Sequence, residues 1–395
     1  MPSPLASLWG LDPGITFLNH GSFGATPLSV LEAQAALRTR LESEPVRFFQ
    51  RELEGLLDGA LSAIGSFVGA QAKDLAGVAN ATSGVNAVVR SLLLEEGDEL
   101  LVTDHAYNAC RNTLDWVAAR SGARVVVVSI PFESCDDDSI VASIVSVATP
   151  RTRLALIDHV TSPTAVVLPV ARLVSELAAL GIDTLVDGAH APGMVPVDLT
   201  SIGAAYYAAN CHKWMCAPKG AGFLHVRADR QDGLVPPVVS HGLNSDRSDR
   251  SRFRLLFDWT GTDDPTALLA VPAAIDAVAA MKPGGWDVVQ VANRDLALAG
   301  AGLIAEAVPG AGSPPPALVG SMVAMTLPIP AAPGYAPHPL HDRLFADHDI
   351  EVPVYSWGGA TVLRISAHLY NAIDDYERLA AAVGNELATT AARTA

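Results

Sequence analysis

The sequence predicts an α/β protein, in which helices cover both faces of a mostly parallel β-sheet and a smaller α+β unit follows. From about residue 77, short runs rich in β-branched residues alternate with helical stretches. These runs are apolar on both faces, which is typical of parallel strands buried between helices. The alternation ends near residue 240, and a chain of 395 residues has room for two domains.

The first unit is predicted to contain seven strands and four intervening helices. The predicted strands are 77–79, 99–103, 124–130, 153–160, 183–186, 206–209 and 222–226. The predicted helices are 85–94, 108–120, 140–148 and 170–180. Residues 240–264 interrupt the pattern and are rich in Arg and Asp. Because acidic and basic side chains neutralise each other there, we expect a solvated loop.

A smaller unit is predicted after this loop. Helices are expected over 265–281 and 286–307, and strands over 322–327, 350–354 and 362–366. These elements predict an N-terminal segment (1–15), a large domain (16–264) and a small C-terminal domain (265–395).

Composition narrows the range of partners. Half of the residues are hydrophobic and 17% are charged, which suits a folded core, and the formal net charge is −16. A surface this acidic disfavours nucleic acid and anionic membranes as partners. Four cysteines are too few for a disulfide framework, and we find neither a leader nor an apolar run of bilayer length. We therefore expect a cytoplasmic protein that does not contact a membrane.

Three loops that directly follow predicted strands carry unusual polar residues. Ligands of open α/β sheets bind at this edge. The first loop has the sequence NATSG (80–84), in which Thr82 and Ser83 can cap a helix whose free N–H groups attract an anion. Asp187 follows the second strand and Lys213 the third. Each feature alone has an ordinary explanation: a helix cap, a turn cap or a salt-bridged lysine.

The three loops together indicate one cofactor. They offer an anion cradle, a carboxylate and an amine that burial would make nucleophilic. Pyridoxal 5′-phosphate needs all three, since it binds a lysine as a Schiff base and places an acid beside its pyridine nitrogen. The acid keeps that nitrogen protonated, so that the ring can accept electrons.

Motifs along nearly the whole chain resemble those of a known family. The motifs are FLNHGSFG (17–24), PVRFF (45–49), NATSGVN (80–86), DH (104–105), DGAHAPG (187–193), HKW (212–214), WTGT (259–262) and LRISA (363–367). On these motifs, the chain is similar to the class-V aminotransferase group of fold-type-I pyridoxal-phosphate enzymes, and within it to isopenicillin N epimerase-like proteins.

The resemblance implies a role for each matching residue. Lys213 would bind the cofactor and move the substrate Cα proton, Asp187 would pair with the pyridine nitrogen, and His105 would stack on the ring. The remaining implied cofactor contacts are His190 and Ser162 near the ring hydroxyl and Thr82, Ser83, Asn210 and His212 at the phosphate. Thr262 would reach the phosphate of a second subunit, which implies a homodimer with shared sites.

Four residues are expected to contact an amino-acid-type substrate. Arg364 matches the arginine that binds the substrate carboxylate, a task that suits its planar fork. Asn19, Arg47 and Tyr107 are further candidates, and Tyr107 carries the best-placed hydroxyl for a second proton carrier.

Two departures concern the cysteine-desulfurase branch of the family. That branch has Ser at the position of Asn210 and Asn at the position of Ser162. Both changes keep the capacity for hydrogen bonds, so the cofactor assignment stands. They leave the tuning of the ring hydroxyl, and with it the reaction specificity, undefined.

The sequence leaves the reaction open. Epimerisation and C–S β-elimination on a secondary metabolite or a cysteine conjugate are the leading readings, and transamination and decarboxylating deamination are alternatives. A cysteine desulfurase is disfavoured, because it needs a thiol shortly before Arg364 and residues 351–359 contain none. A non-catalytic binding protein would not need Lys213, Asp187 and Arg364 together. A metal site at Cys211, His212 and Cys216 is disfavoured by its irregular spacing.

Overall fold

The computed structural model describes residues 3–333 and 337–394. The strands are β1 (Thr16–Phe17), β2 (Leu75–Val78), β3 (Glu99–Thr103), β4 (Arg124–Val128), β5 (Thr152–Asp158), β6 (Asp183–Asp187), β7 (Tyr206–Asn210), β8 (Gly222–Val226), β9 (Met322–Pro330), β10 (Ile350–Glu351), β11 (Val354–Trp357) and β12 (Ala360–Ser366).

Helices connect these strands. They are α1 (His20–Phe23), α2 (Leu28–Ser43), α3 (Pro45–Arg47), α4 (Leu53–Val68), α5 (Ala81–Ser91), α6 (Asn108–Ser121), α7 (Asp137–Ser146), α8 (Val170–Ala179), α9 (Leu199–Ile202), α10 (Arg252–Phe257), α11 (Thr266–Leu269), α12 (Val271–Ala280), α13 (Gly285–Ala307), α14 (Pro339–His348) and α15 (Ile373–Thr394). A π-helical turn, Phe48–Glu52, joins α3 to α4.

The main sheet has seven strands in the order β2-β8-β7-β6-β5-β3-β4. Strand β8 runs opposite to the other six strands of this sheet, so the prediction of a mostly parallel sheet is confirmed. Because β5, β6 and β7 are parallel, their carboxyl ends meet at one edge of the sheet. That edge carries Asp158, Asp187 and Asn210, the last residues of the three strands.

Helices cover both faces of this sheet, as predicted. One buried cluster joins the sheet to α4, α7 and α8, through residues such as Leu61, Ile144 and Leu173. A second cluster joins the opposite face to α5 and α6, through Val88 and Leu114. The sheet is therefore buried on both sides, which explains its apolar strands.

The structure corrects the prediction of a solvated loop over residues 240–264. This stretch contains α10, whose Phe253, Leu256 and Phe257 are buried against the sheet. Arg254 is buried too, and its guanidinium binds Asp58 and Asp258. The spacing of the three apolar residues is helical, but the surrounding charges obscured it.

Prolines divide two elements that were predicted as continuous. The predicted helix 265–281 is split into α11 and α12, and Pro272 lies in the first turn of α12. Proline lacks the N–H that a continuous helix would require there. The predicted strand 350–354 is likewise two strands, β10 and β11, which are separated by Val352 and Pro353.

The C-terminal part contains an antiparallel sheet in the order β11-β12-β9, against which α13 and α15 pack. Strand β1 pairs in parallel with β10, so the chain near residue 16 lies beside the chain near residue 350. Helices α11 and α12 contact α2 and α4. The domain boundaries at 15/16 and 264/265 remain predictions.

Helix α13 meets the length and composition of a membrane span, with a mean hydropathy of 1.2 in its best window. This differs from the expectation that no apolar run is that long. The helix packs against α12, α15 and β9, and its Ala297 and Ile304 are buried. Its apolar face is thus used inside the fold.

Candidate active site

The segment that carries Lys213 leaves β7 in a tight turn. The N–H of Cys216 donates to the carbonyl of Lys213 (3.0 Å), and the N–H of Ala217 donates to that of Cys211 (3.1 Å). Two glycines with positive φ, Gly24 and Gly193, lie against this turn. A Cβ on Gly24 would come within 2.1 Å of the His212 carbonyl oxygen, so the close packing requires glycine there.

Lys213 faces a cavity of about 230 Å³ at the carboxyl edge of the sheet. The cavity brings together many of the predicted site residues. It is lined by Ser22, Phe23, Asn80, Ala81, Thr82, Tyr107, Asp158, Val160, Ser162, Asp187, Ala189, His190, Asn210, His212 and Lys213.

The amine of Lys213 is held by a histidine of defined tautomer. The indole N–H of Trp214 donates to Nδ1 of His190 (3.3 Å), so Nε2 carries the imidazole proton. Nε2 lies 3.0 Å from Nζ of Lys213, which must then accept. Burial, with the positive charge of Arg364 nearby, lowers the pKa of Lys213 to about 7. A large fraction of Lys213 is therefore the neutral, nucleophilic amine near neutral pH.

Asp187 is a buried carboxyl with two donors. The N–H of Ala189 donates to Oδ1 (3.0 Å), and the thiol of Cys110 donates to Oδ2 (3.1 Å). Burial raises the pKa of Asp187, while these two hydrogen bonds and the charge of Lys213 oppose the rise. A cationic ligand group beside Asp187 would favour the ionised form further.

Asp158 is a site residue that the sequence analysis missed. It lies opposite Asp187 in the register of β5 and β6, and it lines the same cavity. The predicted strand ran on to Val160, so Asp158 was counted as part of it rather than as a residue at its end. An acid near the end of an apolar strand was the available signal.

The first turn of α5 lies where the anion cradle is predicted. Asn80, and not Thr82 or Ser83 as expected, caps the helix by accepting from the N–H of Ser83 (2.9 Å), and Asn210 accepts from the N–H of Ala81 (2.8 Å). Thr82 and His212 line the cavity beside this turn, whereas Ser83 lines a neighbouring one. The start of an 11-residue helix attracts a phosphate group.

Arg364 approaches the cavity from β12. It is 5% exposed, and its guanidinium donates to the carbonyl of Ser162 and to Oγ of Ser22 (3.3 Å). Nε of Arg364 is buried without a hydrogen-bond partner. Asn19 is linked to Arg364 through Ser22, whose hydroxyl donates to Oδ1 of Asn19 (2.5 Å). The side-chain amide of Asn19 donates to the carboxylate of Glu351 (2.8 Å).

The ring of His105 is fully buried, with Nδ1 bonded to Thr164 (2.6 Å) and Nε2 to the carbonyl of Ile130 (2.9 Å). The ring packs edge-on against Trp357. The residues that line the cavity include Tyr107, two residues on, and not His105. Stacking of His105 on the cofactor ring stays a prediction.

Thr262 and Arg47 also lie away from the cavity. Thr262 lines a separate surface hollow together with Val46 and Trp259. Arg47 pairs with Glu52 (3.1 Å) on the surface. Neither contacts Lys213 of its own chain, so their expected roles depend on a second subunit.

Three potential metal ligands meet behind Lys213, and they are not the set considered from the sequence. Atoms of His20, Cys216 and His368 lie within 4.8 Å of one another, all buried. Nε2 of His20 contacts the Lys213 carbonyl (3.0 Å), and its Nδ1 contacts the hydroxyl of Tyr370 (2.9 Å). Because both nitrogens of His20 already have protein partners, the cluster serves as a hydrogen-bond network that supports the turn.

The donor set fits pyridoxal 5′-phosphate. A neutral amine, a buried carboxyl and a helix start surround one cavity of about 230 Å³. Oδ2 of Asp158 is buried there without a hydrogen-bond partner, which indicates that a ligand completes the site. The fold and the site thus define a pyridoxal-phosphate-dependent enzyme of fold type I.

Comparison with known proteins agrees with this class. Residues 24–282 match the family model "Aminotransferase class-V". The chain belongs to this family.

Two relatives with different named activities illustrate the similarity. The chain is 36% identical to isopenicillin N epimerase of Streptomyces clavuligerus over 385 residues, covering 94% of this chain and 95% of that protein. It is 31% identical to L-cysteine desulfhydrase of Arabidopsis thaliana over 404 residues, covering 94% of this chain and 87% of that protein.

The confirmed predictions are the fold class, the cofactor and the enzyme class.

Solved structures share the fold. The cysteine desulfurase from Escherichia coli superposes with a TM-score of 0.79 at 21% identity, over 97% of this chain and 98% of that one. A cystine C-S lyase, solved with its product cysteine persulfide, gives 0.81 at 20% identity, over 94% and 98%.

Proposed function

We propose that this enzyme catalyses C–S β-elimination on an L-cysteine-type substrate, either cysteine itself or a conjugate bearing a substituted sulfur. The observation that carries the proposal is the single amine base of the cavity. Among the described lining residues, Lys213 has a pKa of about 7, whereas burial lowers the pKa of His212 to about 4 and that of His190 well below its ordinary value. Elimination needs one base on one face of the substrate.

The residues divide the work as follows. Arg364 binds the substrate carboxylate, and Lys213 removes the Cα proton. The bound cofactor supplies the electron sink, and Asp187 maintains it by holding the ring nitrogen protonated. The Cβ–S bond then breaks and sulfur leaves with the bonding electrons. With one water consumed, the products are a thiol or sulfide, pyruvate and ammonium.

The cysteines of this chain are not sulfur carriers in the proposal. All four are buried and free, and burial raises the pKa of each thiol. A thiol becomes nucleophilic as the thiolate, which these positions disfavour. The sulfur leaves with the product.

Epimerisation is the second candidate, and one residue favours it. The side chain of Tyr107 lines the cavity and is 45% exposed, so its hydroxyl has access to a substrate. If it returned a proton to the face opposite Lys213, the configuration at Cα would invert. This candidate is also supported by the similarity to isopenicillin N epimerase.

A homodimer with shared sites is part of the proposal. Thr262 and Arg47 contact nothing in the Lys213 cavity of their own chain, and Thr262 lies in an open hollow beside apolar residues. In a dimer, Thr262 would reach the partner's phosphate. Thr262→Ala should weaken cofactor retention on dilution. A chain that stays monomeric with cofactor tightly bound would exclude this arrangement.

The reaction is tested with purified enzyme in deuterated water, using L-cysteine, cystine, S-substituted cysteines and isopenicillin N. Pyruvate in equal amounts with the released sulfur product supports elimination; that product is sulfide from cysteine, cysteine persulfide from cystine and a thiol from an S-substituted cysteine. A deuterated D-isomer without pyruvate supports epimerisation and contradicts our first choice. A keto acid that retains its sulfur would indicate transamination, and released carbon dioxide would indicate decarboxylation. Lys213→Ala is the inactive control.

A further inference from the structure

Asp158 is a carboxyl without an evident counter-charge. It is 3% exposed, and it lies in register with Asp187 on the neighbouring strand. The backbone N–H of Tyr107 is a donor to its carboxyl, while its Oδ2 is buried and has no partner. The orphaned oxygen belongs to a residue that lines the cofactor cavity.

The groups around Asp158 make an ionised form costly. From β6 it faces the carboxyl of Asp187, and from α6 it faces the thiol of Cys110. The charged form of Lys213 interacts with Asp187 and Cys110, whereas no cation is among the groups that shift the pKa of Asp158. The adjacent His159 directs Nδ1 to the hydroxyl of Tyr207 (2.8 Å), and burial keeps that imidazole neutral.

We propose that Asp158 is a neutral carboxylic acid in the working enzyme, and that its O–H is an additional donor to the bound cofactor or substrate. Its neutrality leaves one negative charge at this end of the cavity, on Asp187. Asp158 thereby acts as a positioning residue for the contact between Asp187 and the ring nitrogen. The inference rests on the cofactor assignment and is independent of whether elimination or epimerisation follows.

Burial and the charge of Asp187 both raise the pKa of Asp158 well above its ordinary value, in agreement with this geometry. Two adjacent buried carboxyls cannot both ionise without a cation between them. The negative charge is better stabilised on Asp187, because its carboxylate accepts hydrogen bonds from Cys110 and Ala189. The proton therefore resides on Asp158.

The first test uses the stability of the apoenzyme. In the folded protein Asp158 keeps its proton, whereas in the unfolded chain it loses the proton above about pH 4. The unfolded state therefore binds fewer protons, and the stability of the wild type falls as pH rises. Asp158→Asn is nearly isosteric, neutral and still a donor, and it lacks this dependence. The melting temperature of the variant minus that of the wild type should grow by about 2 °C per pH unit between pH 5 and 7. A difference that stays constant with pH overturns the proposal.

Infrared spectroscopy of the wild-type apoenzyme tests the same point without a variant. We expect the carbonyl stretch of a protonated carboxylic acid at pH 7, and Asp187→Asn should retain it. A wild-type spectrum that contains only ionised carboxylates contradicts the neutral assignment, even if Asp158→Asn fails to fold.

The last measurement uses enzyme loaded with ring-¹⁵N pyridoxal phosphate. The nitrogen resonance should report a protonated ring in the wild type and in Asp158→Asn, and a deprotonated ring in Asp187→Asn. Loss of ring protonation in Asp158→Asn would make Asp158 the charged partner and refute the inference. None of these measurements requires turnover, so an error in the proposed reaction leaves their outcome unchanged.

Discussion

The amine of Lys213 lies 3.0 Å from Nε2 of His190, and Trp214 determines which nitrogen of that imidazole carries the proton. The lysine is thus held as a hydrogen-bond acceptor, which only its neutral form can be. Two different groups of residues therefore act on the amine of Lys213. Burial and the charge of Arg364 lower its pKa, while the hydrogen bond from His190 orients its lone pair.

The pH dependence of cofactor capture follows from this arrangement. The apoenzyme should bind pyridoxal phosphate covalently at a rate that rises about tenfold per pH unit below pH 7 and levels off above it, because the neutral amine is the nucleophile. Stopped-flow absorbance measures the rate. Arg364→Gln removes a positive charge, so the midpoint should move to higher pH. An unshifted midpoint would show that Arg364 does not influence the amine.

Lys213→Ala should fold normally but fail to link the cofactor covalently. Borohydride reduction followed by peptide mapping measures the link, and circular dichroism checks the fold. Lys219→Ala is the matched control, since Lys219 follows in the same segment and its amine donates to the Gly24 carbonyl (3.1 Å). The control should be labelled at Lys213. A reduced adduct on another lysine of Lys213→Ala would make our assignment wrong.

Asp187→Ala should slow turnover by at least about 100-fold, equivalent to about 2.7 kcal/mol of activation free energy. The ring nitrogen loses its acid, while the cradle at α5 keeps the phosphate, so cofactor affinity should change less than rate. Steady-state kinetics and equilibrium dialysis measure the two. Asp183→Ala, at the other end of β6, is the control for strand damage. Equal losses of rate and affinity would argue for a binding role only.

Removing every thiol should leave the reaction intact. We expect a variant with Cys110→Ser and with Ala at Cys135, Cys211 and Cys216 to retain catalysis, since sulfur leaves with the product. Serine at position 110 preserves the donor to Asp187. Mass spectrometry of the wild-type enzyme during turnover should find no persulfide on any cysteine. A persulfide on one peptide, with activity lost on substituting that cysteine, would establish a sulfur carrier.

The sequence predicted the parts of the site that follow strands. Asp187 and Lys213 end or closely follow apolar runs, and the topology of a parallel sheet brings such positions together. The same logic would have found Asp158 had the end of β5 been placed two residues earlier. Strand ends are set by the turn that follows, which a hydrophobic pattern does not encode.

Other features depend on contacts between distant parts of the chain. The tautomer of His190 is set by Trp214, and the burial of Arg254 depends on Asp58 of α4. The position of His105 depends on Thr164 and Ile130, which occupy both its nitrogens. A motif identifies the residue type at such a position and leaves its partners undefined.

The pairing of β1 with β10 has a consequence for biosynthesis. Thr16 and Ile350 are partners in that pairing, and the Asn19 amide close by binds Glu351. The neighbouring His20 contacts the Lys213 carbonyl, and Arg364 of β12 donates to Ser162 and Ser22, which line the cavity. The segment near residue 20 and strand β12 must therefore come together before Arg364 is held beside Ser22. During synthesis, this contact can form only after the ribosome has made residue 364.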